Sequence, residues 1–200
     1  MKSVLISIQP KWVEKIASGK KTIEVRKTKP KLETPFKCYI YYTKKKHLLA
    51  IFRKGDYIFS DDHKAGKFDE NIFVKGDYYW SGKVIGEFVC DKITDISVVV
   101  KNCNENYNHV YHNDECKGSC LTWKELQKYG KGKPLYGWHI SDLKIYDKPK
   151  ELTEFYTRCN ITENKCKLCD NCFDREDSYG RHYAVKKLIR PPQSWCYVEG

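Results

Sequence analysis

The amino-acid sequence predicts an α+β fold in which strands outweigh helices, and three observations carry that prediction. Short runs rich in β-branched and aromatic residues recur along the 200 residues, among them 4–8, 36–42, 83–91, 135–146 and 193–198. Helical spacing of apolar residues is confined to short stretches at the start, near residue 125 and near residue 152. Glycine and proline punctuate the chain often enough to keep every element short.

Val4, Leu5, Ile6 and Ile8 form the first strand run, and Pro10 then opens a helix. Trp12, Val13, Ile16 and Ala17 fall on one face of that helix, and Gly19 stops it. After Gly19 the period switches to two. Ile23 and Val25 point one way, and Thr22, Glu24 and Arg26 the other, with Lys21 in the turn beside them. An acid and two bases gathered on one strand surface make a site candidate. A half-buried strand with one solvated polar face has the same pattern, so residue type alone leaves both readings open.

Residues 27–35 form a loop broken by Pro30 and Pro35, and Lys44 to His47 form a basic turn. Residues 48–80 are cut by Gly55, Gly66 and Gly76 into short pieces that read as one or two inserted hairpins. The segment 101–119 is polar and Asn-rich, a long loop. Thr122 and Glu125 have the spacing of a capping box for a helix reaching Tyr129, and residues 149–155 read as a short helical turn.

The string Gly19, Lys21, Glu24, Arg26 matches G-x-K-x-x-E-x-R, and with residues 83–88, 137–143 and 191–198 it resembles the ASCH family of PUA-like proteins carried by phages and prophages. The resemblance is strong over residues 1–54, 80–95 and 120–156. It implies a PUA-like β-barrel with peripheral helices over residues 1–156, carrying the insertion at 48–80. A cysteine-rich excursion over 157–190 and a returning strand over 191–200 complete the expected organisation. It further implies that Lys21, Glu24 and Arg26 line a cleft that binds or processes RNA. Lys20 beside them and Trp138, His139 and Ser141 on another strand are further ligand-binding candidates by residue type. Period two places Trp138 on one face and His139 and Ser141 on the other, and Trp138 also reads as core. One branch of ASCH-like proteins hydrolyses acetylated cytidine with a threonine three residues beyond the lysine. That position is Glu24 here, so a nucleophilic threonine is missing. Water activated by Glu24, with Lys21 as electrophile and Glu87 as a second carboxylate, is the hydrolytic alternative. A phage-encoded protein-interaction module is a third class.

Composition bounds these choices. Hydrophobic residues make up 40% and aromatic residues 14%, values of a folded chain. No apolar run reaches the ~18–20 residues a membrane helix needs, and no signal-peptide pattern opens the sequence, so a cytoplasmic protein with no membrane partner is expected. The net charge of +11 is uneven. Residues 1–54 hold 15 Lys/Arg against 3 Asp/Glu, and residues 55–200 hold 22 against 23. A basic segment of this kind suits a polyanion, and RNA or a nucleoside-like ligand is the expected partner.

The ten cysteines include Cys159, Cys166, Cys169 and Cys172, four thiols within fourteen residues and three of them at x2 spacing. Thiolates two residues apart can grip one soft metal, so zinc is expected there, with an iron–sulfur centre second and a metal-free reduced loop as the alternative. Cys116 and Cys120 with His109 and His112 form a weaker second set. Cys38 and Cys90 sit in strand runs and read as buried small hydrophobes.

Overall fold

The computed structural model describes residues 2–44, 49–53, 56–60, 78–96, 114–159, 172–176, 179–180 and 182–199. Twelve strands and three helices are assigned along them: β1 Lys2–Ile8, α1 Pro10–Ala17, β2 Ile23–Arg26, β3 Phe36–Tyr42, β4 Leu49–Arg53, β5 Asp56–Ser60, β6 Tyr78–Tyr79, β7 Val84–Asp95, α2 Asp114–Ser119, α3 Trp123–Gly130, β8 Tyr136–Lys150, β9 Tyr156–Arg158, β10 Cys172–Glu176, β11 His182–Lys187 and β12 Trp195–Glu199. A 3-10 turn, Leu152–Glu154, precedes β9. This is the sheet-dominated α+β fold that the strand runs predict.

The chain divides into two compact units, which β7 and β8 both enter. The first holds Met1–Pro10, Cys38–Gly86 and Ile145–Gly200. Its strands hydrogen-bond in the order β10-β11-β9-β12-β1-β3, a linear order rather than a closed ring among the described residues. β1 pairs parallel with β3, Val4 opposite Cys38 through Ile8 opposite Tyr42, and antiparallel with β12, Lys2 opposite Glu199. β1 is buried from Ser3 to Ile8, as expected for a central strand of continuous apolar run. Leu5 and Val198 pack with Tyr41, Val84, Tyr146, Leu152 and Phe155 into one apolar cluster. The expected hairpin between 48 and 80 is β4 with β5, and β6 adds to the other edge of β4.

The second unit holds Lys11–Lys37 and Glu87–Lys144, with the strand order β7-β8-β2. Helix α1 ends as the sequence predicts. Gly19 adopts φ +71°, and its N–H and that of Lys21 return to the carbonyls of Ile16 and Lys15. Val13 and Ile16 are fully buried. The capping box at Thr122 is formed in both directions, Glu125 N donating to Thr122 Oγ1 and Thr122 N to Glu125 Oε2. Val25, Ile96, Leu126 and Leu135 form this unit's own apolar cluster.

Of the predicted metal ligands, Cys166 and Cys169 lie outside the described residues, as do His109 and His112, while Cys116 and Cys172 are described in backbone only. Cys159 is a free, half-buried thiol residue whose N–H donates to the Ala184 carbonyl. Among the described residues no group of three or more metal-binding side chains forms. Cys38 and Cys90 are fully buried, and desolvation pushes the Cys90 thiol up to about 12.

Candidate functional site: a buried charge cluster on β2

Alternation on β2 predicts one apolar and one polar face. Both are buried, so the solvated-face reading of Glu24 and Arg26 is overturned. Lys21 is 2% exposed, Glu24 5% and Arg26 7%. The cover is α2, contributed from almost a hundred residues along the chain. The N–H of Thr22 donates to Gly118 O at 2.8 Å, and a Cβ on Gly118 would stand 2.7 Å from Thr22 Oγ1 and 2.9 Å from Ile23 Cγ1. Glycine is therefore what lets α2 approach the strand this closely.

The Lys21 ammonium donates to Ile23 O at 2.8 Å and to Ser119 O at 2.6 Å. It lies 3.4 Å from Glu24 Oε2, and Arg26 Nη2 lies 3.0 Å from Glu24 Oε1. One carboxylate thus serves two cations in a site with little water, where Coulomb attraction is strong and an uncompensated charge is costly. Burial holds the Lys21 ammonium below the usual lysine range, and Glu24 opposes that shift. Apart from Lys21 at 3.4 Å, Glu24 Oε2 has no hydrogen-bond partner among the described residues. It is a buried acceptor with that one cation beside it.

Two aromatic residues border the cluster. Lys21 Nζ lies 5.1 Å from the ring centre of half-buried Trp12, which Lys11 also covers at 4.1 Å. On α3, Tyr129 is 38% exposed and takes a side-chain hydrogen bond from Arg26. Desolvation raises its phenol pKa, partly offset by Arg26, and Lys27 Nζ stands 4.9 Å from its ring centre.

The sequence-predicted residues separate here. Lys21, Glu24 and Arg26 come together, and Trp138 is the cross-strand partner of Glu24. Trp138 is fully buried and packs edge-to-face on Phe36 at 5.9 Å, the packing of a core residue. His139 pairs with Ile23 and so faces the other side, where its Nε2 lies 3.3 Å from Thr94 Oγ1. Ser141 donates to Val89 O. Lys20 is exposed, and its carbonyl accepts the Cys120 thiol at 3.1 Å. Glu87 forms an ion pair with Lys37 at 3.2 Å. Tyr129, Gly118 and the Ser119 carbonyl carry no sequence signal as site members, because only the tertiary fold brings them to β2.

No family profile and no curated protein matches the chain. Among solved structures it is similar to ASCH from Zymomonas mobilis. That crystal structure is 16% identical over 75% of this chain and 73% of its own, with a TM-score of 0.44. A serine-to-alanine variant of the same protein is 14% identical over 98% of this chain and 88% of its own, with a TM-score of 0.50. The class defined is therefore one of fold. The chain is similar in fold to the ASCH structures, the fold that the sequence resemblance implies.

Proposed function

We propose that the second unit binds RNA or a nucleoside-like ligand at the Lys21–Glu24–Arg26 cluster, and that Glu24 reads an amino group of a base. The incompletely hydrogen-bonded Glu24 Oε2, buried beside Lys21, carries this proposal. A buried carboxylate repels phosphate but accepts strongly from a base N–H, and Tyr129 offers a ring on which that base can stack. Lys21 and Arg26 are then engaged by Glu24 rather than by the nucleic-acid backbone. Isothermal titration of cytidine, adenosine and uridine derivatives and of short RNAs tests it, using wild type and Glu24→Gln. Charge-assisted hydrogen bonds predict a loss of about 10- to 100-fold for amino-bearing bases in the variant, with uridine little changed. Equal affinity of both proteins for cytidine and uridine would overturn it.

A second reading rests on the pairing of Lys21 Nζ with Glu24 Oε2 at 3.4 Å, a cation beside a candidate base in a buried site. It is hydrolysis of acylated nucleosides with Glu24 and Lys21 as the acting pair. Here Glu24→Gln lowers turnover by about two to four orders of magnitude. Absence of turnover in the wild type rules it out.

For the cysteine run we propose about one zinc per chain, held by Cys159, Cys166, Cys169 and Cys172. Elemental analysis finding neither zinc nor iron sinks that assignment.

A further inference from the structure

The first unit carries a surface whose chemistry is independent of the β2 cluster. In antiparallel pairs, opposite residues project to the same face, and so do residues two apart on one strand. Arg175 on β10 is opposite Tyr183 on β11. Val185 and Lys187 on β11 are opposite Arg158 and Tyr156 on β9, and Tyr156 is opposite Glu199 on β12. Glu199 is in turn opposite Lys2 on β1, and Tyr197 follows two residues before it. Basic and aromatic side chains therefore gather on one face of β9 to β12 and at Lys2. Val4 and Ile6 of β1, opposite Tyr197 and Trp195, and Val185 of β11 are fully buried on that same face and form its apolar floor.

The side-chain contacts agree with the register. Arg158 Cζ lies 4.5 Å from the ring centre of Tyr183, Arg175 Cζ 4.6 Å from that of Tyr156, and Lys2 Nζ 4.1 Å from that of Tyr197. Tyr197 meets Trp195 edge-on at 5.4 Å. Tyr156, Tyr183, Trp195 and Tyr197 are all half-buried, and the Arg158 side chain is 57% exposed. Glu199 is the one acid at these strand positions, and its carboxylate, 7% exposed, accepts from Arg158 Nε at 2.8 Å. Lys2, Arg158, Arg175 and Lys187 thus face it four to one. The opposite side of β12 supplies Val198 and Cys196 to the apolar cluster, so that cluster does not require the aromatic face.

We propose that this face is a platform for single-stranded nucleic acid. Exposed bases stack on tyrosine rings and on guanidinium planes, while surrounding cations neutralise phosphates. A duplex hides its bases and offers only phosphates to such a surface. Whole-segment charge conceals the platform, since residues 55–200 balance to −1, whereas strand alternation sorts the basic side chains onto one face.

The test uses the full chain, with fluorescence anisotropy of labelled 12-nucleotide oligouridylate, oligothymidylate and a hairpin duplex. Both or either single strand should bind, more tightly than the duplex and with falling affinity as salt rises. Loss of one stacked base in Tyr183→Leu should weaken binding about 5- to 100-fold, and Tyr183→Phe should stay within about twofold. Arg175→Gln should lower the salt slope by about 0.7. Saturating cytidine should not displace bound oligouridylate, which separates this platform from the nucleoside site. No binding of single strands, duplex bound equally well, or Tyr183→Leu folded and binding as wild type would overturn the proposal. If Tyr183→Leu does not fold, the Lys2→Gln, Arg175→Gln double variant decides by its salt slope. An unchanged slope overturns the platform, and a slope lower by about 1.4 supports it.

Discussion

The β2 cluster and the β9–β12 face use the same residue types to opposite ends. At β2 and the turn before it, Lys21, Glu24 and Arg26 are all less than a tenth exposed, and each charge is answered by another charge or by a backbone carbonyl. On β9 to β12 the cations lie over tyrosine rings at the surface, and Arg158 keeps 57% of its side chain in solvent. Buried charges are costly to leave unpaired, so the first arrangement ties the site to the stability of its unit. Exposed cation–π and ion pairs contribute little to stability, which leaves the second free to be shaped by a ligand. Where alternation places a charge on a strand matters less than what covers that strand.

The sharpest way to break this comparison is to remove one charge from each region. Glu24→Ala strands two buried cations and should cost about 3–5 kcal/mol in chemical denaturation. Arg175→Ala removes one surface cation–π contact and should cost about 0.5–1 kcal/mol. Similar losses in the two variants would show that burial does not distinguish the regions.

A smaller effect comes from the cover rather than the charges. Gly118→Ala drives a Cβ to within 3.0 Å of Thr22 and Ile23, so α2 must shift from β2. Overpacking of this kind costs about 1–3 kcal/mol. The same shift moves the Ser119 carbonyl away from Lys21, so the variant should also lose affinity at the nucleoside site while keeping it at the sheet face.

Much of this was legible in the sequence. The run Phe36–Tyr42 is β3 to the residue, Pro10 and Gly19 bracket α1, and Thr122 with Glu125 caps α3. These signals are local, made by neighbours in the chain. The burial of β2 was not legible because its cover, Gly118 and Ser119, sits at the end of a segment that reads as a polar loop. Tyr129 reads as the end of an amphipathic helix, and nothing local links it to Arg26. Within the cysteine-rich excursion, β10 and β11 pair with each other and β11 pairs with β9, long-range pairing that cysteine spacing does not report. Alternation along residues 137–143 separates Trp138 from His139 and Ser141, and the pairing of Glu24 with Trp138 and of Ile23 with His139 follows that alternation.

The capping box gives a prediction of the next size down. Thr122→Ala removes the hydroxyl that accepts from Glu125 N and should cost about 0.5–2 kcal/mol. Backbone and side-chain hydrogen bonds from Thr122 hold the Glu125 carboxyl below its usual range. Stability from that box is present above the unfolded pKa near 4.5 and is lost as pH falls through the lower folded value. The gap between thermal melts of wild type and variant should therefore narrow in acid without closing, because the bond from Glu125 N to the hydroxyl does not titrate.

The smallest expected effect, and the most specific to the buried cluster, is the alkaline dependence of stability. Lys21 has a folded pKa below its unfolded value of 10.5 because burial disfavours the ammonium. Between those two values the unfolded chain binds a proton that the folded chain does not. Stability therefore rises with pH across that window, by less than about 1.4 kcal/mol per pH unit for one proton, and the unfavourable contribution of the charged lysine is fully present below the folded pKa. Lys21→Met has no proton to lose at this position, so its stability should lack this rise when wild type and variant are compared by urea denaturation from neutral pH to pH 10. Arg158→Gln serves as the matching change on the sheet face. An arginine stays protonated throughout, so its removal should displace the curve without altering its slope. Parallel curves for wild type and Lys21→Met would mean that the Lys21 ammonium is held by Glu24 and the two carbonyls as firmly as water holds it, and the contrast between the buried and the exposed cations would then be one of geometry alone.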